Sequence, residues 1–254
     1  RQQNAEILQQ NEEIEAQRNL VFQQNELLEK KNSEITDSIH YANYIQSAIL
    51  PGKEIRNELL RDHFILFKPR DIVSGDFYWM TKVNNEIVFA VADCTGHGVP
   101  GAFMSMLGIS FLNEIVNKEY ITHTGVILRR LRKEVINALH QTGQEGQQRD
   151  GMDMAICTIN FDDLKLQFSG ANNPLYIIRQ KNEAKIESDK IIENSTYTLY
   201  EIKGDKMPIS IYERMDKYTD HEIQLVKGDC LYMFSDGYAD QFSESGKKFK
   251  YKPF

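Results

Sequence analysis

The stretch EIVFAVADCTGHGVPGA, residues 86–102, decides the fold, because an apolar run, a turn and the start of a helix follow one another in it. The run Glu86–Ala92 is rich in apolar and β-branched residues, which predicts a buried strand. Two glycines and then Pro100 follow, and proline is favoured in the first turn of a helix. An Asp, a Cys and a His lie in the turn, and the question is which of them carries chemistry.

The chain after residue 62 repeats this combination of short strands, turns and helices. Apolar and alternating runs predict strands at His63–Lys68, Phe77–Val83, Glu86–Ala92, Met154–Phe161, Lys165–Ser169, Leu175–Arg179, Tyr197–Ile202, His221–Val226 and Cys230–Ser235. Helical spacing predicts Pro100–Lys118 and Thr124–His140, whereas Gln141–Asp150 and Lys181–Asn194 are typical of loops. Hairpins on either side of helices favour an α+β fold, an αββα sandwich of two antiparallel sheets flanked by helices.

Residues 1–50 contain no Gly or Pro and predict one long helix that ends before Pro51. Apolar residues recur in it every seven positions, which is the seam of a coiled coil: Ile7, Ile14, Val21, Leu28, Ile35, Ala42 and Ile49. If these are d positions, the a positions are mostly polar and end with Gln46, which favours a weak, parallel dimer of fixed register. The alternative is a polar, solvated linker with helical propensity.

The predicted domains are therefore a coiled-coil linker at 1–50 and a globular domain at 51–254. The apolar stripe of the helix thickens towards its end, so we expect Ser38–Leu50 to dock on the domain that follows. The chain opens with Arg1 in the middle of a helical pattern, so we expect it to be a piece of a longer protein. A helix of this length suits a rod that carries a signal, and we expect an upstream sensor domain in that protein.

Composition excludes several classes of function. The net charge is −7 and no Lys/Arg cluster could follow a phosphate backbone, so nucleic acid is not an expected partner. No run approaches the roughly 18 apolar residues of a membrane-spanning helix, so we expect no membrane insertion by this chain. The three cysteines are far apart in apolar runs, which favours buried free thiols and a cytoplasmic location, with a parent protein that could be tethered to a membrane.

Three carboxylates share one context, since each lies where an apolar strand meets a glycine-containing turn: Asp76, Asp93 and Asp236. Carboxylates gathered at one end of a sandwich repel one another unless a cation lies between them. Oxygen ligands of this kind suit hard ions such as Mg²⁺ or Mn²⁺. A single Asp-Gly pair is usually only a turn, but three in one domain favour a metal site.

Five motifs match a known family in order and spacing: VSGDFY at 73–78, VADCTGHGVPGA at 91–102, GMDMA at 151–155, SGANNPL at 169–175 and FSDG at 234–237. They resemble the sporulation stage II protein E branch of the metal-dependent protein phosphatase 2C family. The resemblance covers residues 60–242, and the helix YIQSAILP at 44–51 is similar to the regulatory linker of that family.

The resemblance implies a phosphoserine/phosphothreonine phosphatase with two Mn²⁺ or Mg²⁺ ions between its sheets. Asp93 would bridge both ions, Asp76 and the backbone carbonyl of Cys94 would hold one, and Asp236 would hold the other. Hydrolysis would proceed by in-line attack of a metal-activated water, without a covalent enzyme intermediate. The Cys94 side chain would then need no thiolate character.

Other candidate residues keep two interpretations. His97 is either a general acid for the leaving seryl oxygen, beside Asp93 and Asp76 in the catalytic set, or a residue that holds the turn before the Pro100 helix. Asp150 and Asp153 either reach a weaker third metal or are turn carboxylates. The segment 207–209, Met-Pro-Ile, resembles a family loop beside the site, although Ser210 stands where glycine is usual.

For the family, the typical substrates are phosphoserine forms of small anti-sigma-factor antagonists, and the linker would control activity by shifting Asp76 and Asp93. The family pattern continues with a last strand that carries a further metal-ligand Asp, and this sequence does not include it, so we expect weak metal occupancy and low or no activity for this chain unless a partner chain replaces that piece. The alternatives are a non-catalytic dimerisation and binding module on a phosphatase scaffold, and a two-metal hydrolase acting on nucleotides.

Overall fold

The computed structural model describes residues 2–60, 62–144, 146, 149–244 and 246–248, with side chains from residue 10 onward. The seam position Ile7, the opening Arg1 and the terminal segment 250–254 lie outside the residues whose side chains are described. The chain divides into two compact units between Ile45 and Gln46. The first is helix throughout its described length, and the second contains both sheets.

Four α-helices are present in the described residues: α1 (Gln2–Ile49), α2 (Lys53–Leu59), α3 (Gly98–Leu112) and α4 (Thr124–Ala138). A π-helical turn, Asn113–Lys118, continues α3. In the first unit, the seam residues Ile14, Val21, Leu28 and Ile35 of α1 are each more than half exposed. The apolar stripe of α1 is therefore free to meet another surface.

Nine strands form two antiparallel sheets in the described part of the chain: β1 (Phe77–Val83), β2 (Glu86–Cys94), β3 (Met152–Asn160), β4 (Lys165–Ala171), β5 (Leu175–Gln180), β6 (Lys190–Glu193), β7 (Tyr197–Ile202), β8 (His221–Gln224) and β9 (Cys230–Tyr232). The first sheet has the order β1-β2-β3-β4-β8 and the second β6-β7-β5-β9. The α+β class with two antiparallel sheets and a long N-terminal helix is confirmed.

Two cores explain the sequence pattern of β3, which reads as a continuous apolar run. Its even-numbered residues, such as Met154 and Ile156, pack with α3 and α4 on one face of the first sheet. Its odd-numbered residues, such as Ala155 and Cys157, pack against the second sheet. A central strand covered on both faces has no polar side, whereas an amphipathic strand alternates.

The helical segment Gly98–Lys118 has a mean hydropathy of 1.4 over a window long enough to cross a membrane. The expectation that no stretch reaches this range was therefore too strict. Half of the window is buried inside the domain, where Leu112, Ile115 and Val116 belong to the core. Length and hydropathy alone cannot distinguish such a core helix from a membrane span.

Three other predictions are corrected. His63–Lys68 alternates in burial but forms no ladder with any strand in the described ranges. The interval 181–194 is not only loop, because β6 pairs there with β7. Cys94 and Cys157 are buried free thiols as expected, but Cys230 is exposed, since β9 lies at the end of its sheet.

Candidate metal centre

Three glycines bring the segment before β1 against the turn that follows β2. A Cβ at Gly75 would lie 2.8 Å from the carbonyl oxygen of Gly96, and a Cβ at Gly101 would lie 2.6 Å from the same oxygen. Gly96 itself has a φ of +86°, which L side chains rarely adopt. The SGD and GHGVPGA motifs are therefore parts of one backbone contact, and this contact places Asp76 beside the end of β2.

The structure brings Asp76, Asp93 and Asp236 together, although they come from the entry to β1, the end of β2 and the turn after β9. The pKa of Asp93 is raised from 3.8 to about 8, first by burial and then by the charges of Asp76 and Asp236. Hydrogen bonds to the same two carboxylates also favour its protonated form. The three predicted metal-ligand aspartates thus form one acidic cluster whose negative charge is poorly compensated.

Asp153 is a fourth member of this cluster, which we call the acidic cluster from here on. It lies directly opposite Asp93 in the β2–β3 ladder. Burial raises its pKa, the charge of Asp236 adds to this, and a hydrogen bond from Asn172 Nδ2 to Asp153 Oδ1 at 2.7 Å opposes it. Asn172 belongs to the SGANNPL motif and has a φ of 61°, a left-handed conformation that asparagine tolerates better than most residues.

A serine in the turn after β9 orients Asp76. Ser235 Oγ donates a hydrogen bond to Asp76 Oδ2 at 2.7 Å. A Cβ at Gly237 would lie 3.6 Å from the same Asp76 oxygen. The FSDG motif therefore does more than supply Asp236, because its serine holds the carboxylate of Asp76 at the entry to β1. The motif contained this signal, but sequence reasoning assigned a role only to Asp236.

The thiol of Cys94 is buried and electrically unsuited to be a nucleophile. Burial raises its pKa, and the neighbouring charges of Asp93, Asp76 and Asp153 raise it further. Its carbonyl oxygen lies 3.3 Å from the position of a Cβ on Gly75, next to the segment that carries Asp76. Any contribution of Cys94 to the cluster is therefore through its main-chain oxygen.

His97 pairs with Asp71 and not with Asp93, beside which a general acid was expected. It is the residue before α3, its side chain is exposed, and its Nδ1 lies 3.0 Å from Asp71 Oδ2. Its role as a general acid stays a prediction. The pairing with Asp71 fits the other interpretation, in which His97 holds the turn that starts α3.

A cavity of about 330 Å³ opens directly beside the cluster and is lined by Asp93, Cys94 and Asp153. Residues of the 208–212 segment, including Pro208 and Ser210, line it as well. That segment is attached to β3, because Ile209 N donates a hydrogen bond to the carbonyl oxygen of Met152 at 2.8 Å. The loop that resembles the family's site loop therefore does form a wall of this cavity.

The donor set fits a hard cation. Among the described residues, no three His, Cys, Asp or Glu side chains converge tightly enough to enclose an ion by themselves. Mg²⁺ does not need such an enclosure, because it keeps several waters and binds through one or two carboxylates. Asp93, which is hydrogen-bonded to Asp76 and Asp236, offers such a ligand with them once its proton leaves.

The comparisons with known proteins agree with this geometry. The family model described as stage II sporulation protein E (SpoIIE) matches residues 84–253. The chain belongs to the SpoIIE family. The resemblance stated from the five motifs is thereby confirmed, and the domain after Gln46 is a phosphatase domain of the 2C type.

Individual relatives add detail. The SiaA phosphatase 2C domain of Pseudomonas aeruginosa is 30% identical, with a TM-score of 0.70, over 87% of this chain and 80% of that one. The phosphoserine phosphatase RsbU of Bacillus subtilis is 24% identical over 89% of this chain, which spans only 61% of that relative's length. The RsbU and RsbW domains of a Mycobacterium tuberculosis protein share the fold, at 15% identity and a TM-score of 0.50, over 68% of this chain and 42% of that one.

Proposed function

We propose that this chain is a metal-dependent serine/threonine protein phosphatase that acts on a phosphorylated regulatory protein and is controlled through its N-terminal helix. The observation that carries the proposal is the acidic cluster at the end of a SpoIIE-family sandwich, with Asp93 in contact with Asp76 and Asp236. Asp76, Asp93 and Asp153 are partly buried, and like charges held together in this way are costly unless they serve a cation.

The residues that would hold Mn²⁺ or Mg²⁺ are Asp76, Asp93, Asp236 and the carbonyl of Cys94. Bound there, two such ions would supply a nucleophilic water at neutral pH and neutralise the phosphoryl oxygens. The chain's own contribution is positioning: Ser235 holds Asp76, and the raised pKa of Asp93 means that it must lose a proton to become a ligand.

The proposed substrate is a phosphoserine or phosphothreonine on a small protein of the anti-sigma-factor antagonist type. RsbU is named a phosphoserine phosphatase, which supports this chemistry for a family member. The cavity beside Asp93 and Asp153 is open to solvent and of about 330 Å³, a size that admits one phosphorylated side chain while the rest of a protein substrate stays outside.

The proposed control rests on Gln46, which lies in the same compact unit as the acidic cluster. Its Nε2 donates to the carbonyl oxygen of Ser74 at 2.7 Å and to Ser105 Oγ at 2.8 Å, and Ser74 N donates to its Oε1 at 2.9 Å. Gln46 is only 4% exposed. Its assignment to a coiled-coil a position is therefore wrong, because its amide is satisfied inside the catalytic unit.

Ser74 lies two positions before Asp76. The hydrogen bonds of Gln46 therefore connect the end of α1 to the backbone segment that carries a proposed metal ligand. A change in the pairing of α1 with a second copy, set by an upstream sensor, would reach Asp76 by this route. The exposed seam residues Val21 and Leu28 support a dimer through a parallel coiled coil. We propose a cytoplasmic location for such a dimer, which the free cysteines support.

A direct test of the control is Gln46→Leu, with the exposed neighbour Ser47→Ala as matched control. The variant leaves the buried amide of Ser74 without its acceptor and loosens the segment before Asp76. We expect Mn²⁺ affinity, measured by calorimetric titration, to fall about tenfold while circular dichroism stays unchanged. Equal Mn²⁺ affinities in Gln46→Leu and wild type would refute the route.

The function itself is tested by hydrolysis at saturating Mn²⁺ of a phosphoserine protein, a nucleoside triphosphate and p-nitrophenyl phosphate, each repeated with chelator. Saturating Mn²⁺ offsets the weak metal occupancy expected from the sequence, so we expect slow, metal-dependent release of phosphate from the protein and from p-nitrophenyl phosphate, and none in Asp93→Asn. Release from the nucleotide alone would favour the nucleotide hydrolase. Mn²⁺ binding without hydrolysis of any substrate would favour the non-catalytic binding module.

A further inference from the structure

A cationic side chain, that of Arg149, lines the cavity whose floor is formed by Asp93 and Asp153. The metal centre makes no use of it. The ion pairs that arginines form among the described residues belong to Arg130, Arg179 and Arg214, each with Asp or Glu. Arg149 takes part in none of these pairs, so its charge is not committed to a carboxylate of the described fold.

The edge of the cavity that carries Arg149, which we call the rim, is held in place by the buried side-chain amide of Gln141. Gln141 is 6% exposed, and its Nε2 donates to the carbonyl oxygen of Asp150 at 2.5 Å. Its Oε1 accepts a hydrogen bond from Ile211 N at 2.9 Å. One side chain therefore joins the residue after Arg149 to Ile211, which lines the same cavity. Since a buried amide is costly to leave unpaired, this bridge sets the width of the opening.

The base of the same rim is tied to the turn that follows β2. Thr95 N donates to the carbonyl oxygen of Gly151 at 2.9 Å, and Gly151 N donates to Thr95 Oγ1 at 3.1 Å. A Cβ at Gly151 would lie 2.6 Å from the carbonyl oxygen of Ile209. The backbone two positions after Arg149 is thus wedged between the Asp93 turn and the 208–212 segment.

We propose that Arg149 binds the phosphate of the substrate and that Gln141 is the positioning residue that holds it over the acidic cluster. A phosphate dianion that enters a cavity floored by carboxylates needs positive charge on more than one side. A guanidinium supplies this charge with planar, bidentate geometry. The apolar side formed by Pro208 and Ile211 accommodates the aliphatic part of the phosphorylated side chain. This inference rests on the proposed phosphatase function.

Chemical footprinting of the whole 254-residue chain tests the contact without measuring activity. The Mn²⁺-loaded protein is treated with phenylglyoxal, with and without inorganic phosphate, and arginine modification is mapped by mass spectrometry. We expect phosphate to slow the modification of Arg149 about fivefold or more. Arg129, exposed on α4, is the internal control and should react equally in both arms. Equal reactivity of Arg149 in both arms would overturn the proposal.

Variants separate binding from architecture. Arg149→Ala should raise KM for p-nitrophenyl phosphate and weaken inhibition by inorganic phosphate about tenfold, with partial rescue in Arg149→Lys. Mn²⁺ affinity should stay the same or increase, because a cation has been removed from the neighbourhood of the acidic cluster. A parallel loss of Mn²⁺ and phosphate affinity would indicate a structural role and contradict the proposal. Arg129→Ala, the matched charge deletion, should change neither quantity.

The positioning role of Gln141 has its own signature. Gln141→Leu removes both hydrogen bonds of the bridge, and we expect it to raise KM as Arg149→Ala does, with kcat and Mn²⁺ affinity close to wild type. If Gln141 acts through Arg149, the double variant Gln141→Leu/Arg149→Ala should raise KM about as much as Arg149→Ala alone. Single effects on KM that add in free energy would contradict this idea.

Failure of this inference can be told apart from failure of the proposed function. If no substrate is hydrolysed in a metal-dependent manner, the phosphatase function fails, whatever the footprint of Arg149 shows. If p-nitrophenyl phosphate is hydrolysed but Arg149 is neither protected nor important for KM, only the inference fails.

Discussion

Charged side chains are removed from solvent in two regions of the molecule, and the two regions compensate this charge in opposite ways. In the second sheet, Arg179 and Asp229 are each 2% exposed and form a bidentate pair, with Nε to Oδ1 at 2.9 Å and an Nη to Oδ2 at 2.6 Å. Arg179 also donates to the carbonyl oxygens of Ala184 and Gln224, and Val226 N donates to Asp229. Every charge there has an opposite charge and saturated hydrogen bonds.

At the acidic cluster, the charges that meet have the same sign. Asp93 contacts Asp76 and Asp236, and burial together with these neighbours raises its pKa to about 8. The contrast teaches how to separate architecture from function, because a saturated ion pair has nothing left to bind. A cluster of like charges is complete only when a cation joins it.

The largest effect is expected from breaking the saturated pair. Asp229→Ala leaves Arg179 buried and uncompensated, which should lower the free energy of unfolding by about 3–5 kcal/mol. Urea unfolding followed by circular dichroism measures the loss. The double variant Arg179→Met/Asp229→Leu, which removes both charges, should lose much less. A loss below about 1 kcal/mol in Asp229→Ala would show that the pair is not essential to the second sheet.

The corresponding change at the acidic cluster should have the opposite sign for stability. Asp93→Asn replaces a group that must take up a proton on folding at pH 7 with a neutral amide, so the metal-free chain should gain about 1–2 kcal/mol, a value kept low because the site is partly open to solvent. Differential scanning calorimetry in chelator checks this gain. Asp37→Asn, an exposed change on α1, should have no effect, and a destabilised Asp93→Asn would remove the distinction between the two regions.

The same cluster predicts a pH dependence. The folded chain holds a proton on Asp93 that the unfolded chain releases near pH 3.8, and it keeps that proton until about pH 8. The stabilising contribution is therefore full below pH 3.8 and is lost as pH rises towards 8 in metal-free protein. Mn²⁺ affinity should rise over the same interval, because binding displaces the proton.

Titration of stability against pH in chelator, compared with Asp93→Asn, isolates this contribution. The difference between wild type and variant should change across the interval and level off above it. A difference that is constant with pH would mean that Asp93 is already ionised in the folded chain.

The smallest effect is expected at Cys94. Its side chain belongs to the core, and burial with the adjacent carboxylates keeps the thiol neutral. Cys94→Ser should cost about 1 kcal/mol of stability and leave Mn²⁺ affinity and phosphatase activity near wild type. Loss of activity equal to that of Asp93→Asn would assign the thiol a chemical role.

Much of the fold could be predicted because burial dominates the pattern. The bounds of Phe77–Val83 and Tyr197–Ile202 were predicted as the structure has them, since alternation on a half-buried strand is a strong signal. The strand β6 was missed because all four of its residues are exposed. The helix α2 was missed because it is short and buries no residue. Such elements exist through pairing or local geometry, which leave little trace in composition.

Site residues that lie in a sequence motif could be predicted. Residues whose role depends on a contact in the folded chain could not. Asp76, Asp93 and Asp236 lie in strand-end motifs, and the structure brings them together. The role of Gln46 was mistaken, because a polar residue at heptad spacing looks the same whether it faces a partner helix or the backbone of Ser74. Arg149 could not be singled out, because only the fold shows which surface arginine faces the acidic cluster.

The contact among Gly75, Gly96 and Gly101 has a consequence for how this protein can vary. Two of these glycines meet a backbone oxygen at distances that leave no room for a methyl group. This backbone contact is rigid, so α3 and the segment that carries Asp76 must move together. Substitutions can therefore change the surfaces that contact this rigid unit, such as the end of α1. They cannot make the glycine contact itself longer or more flexible.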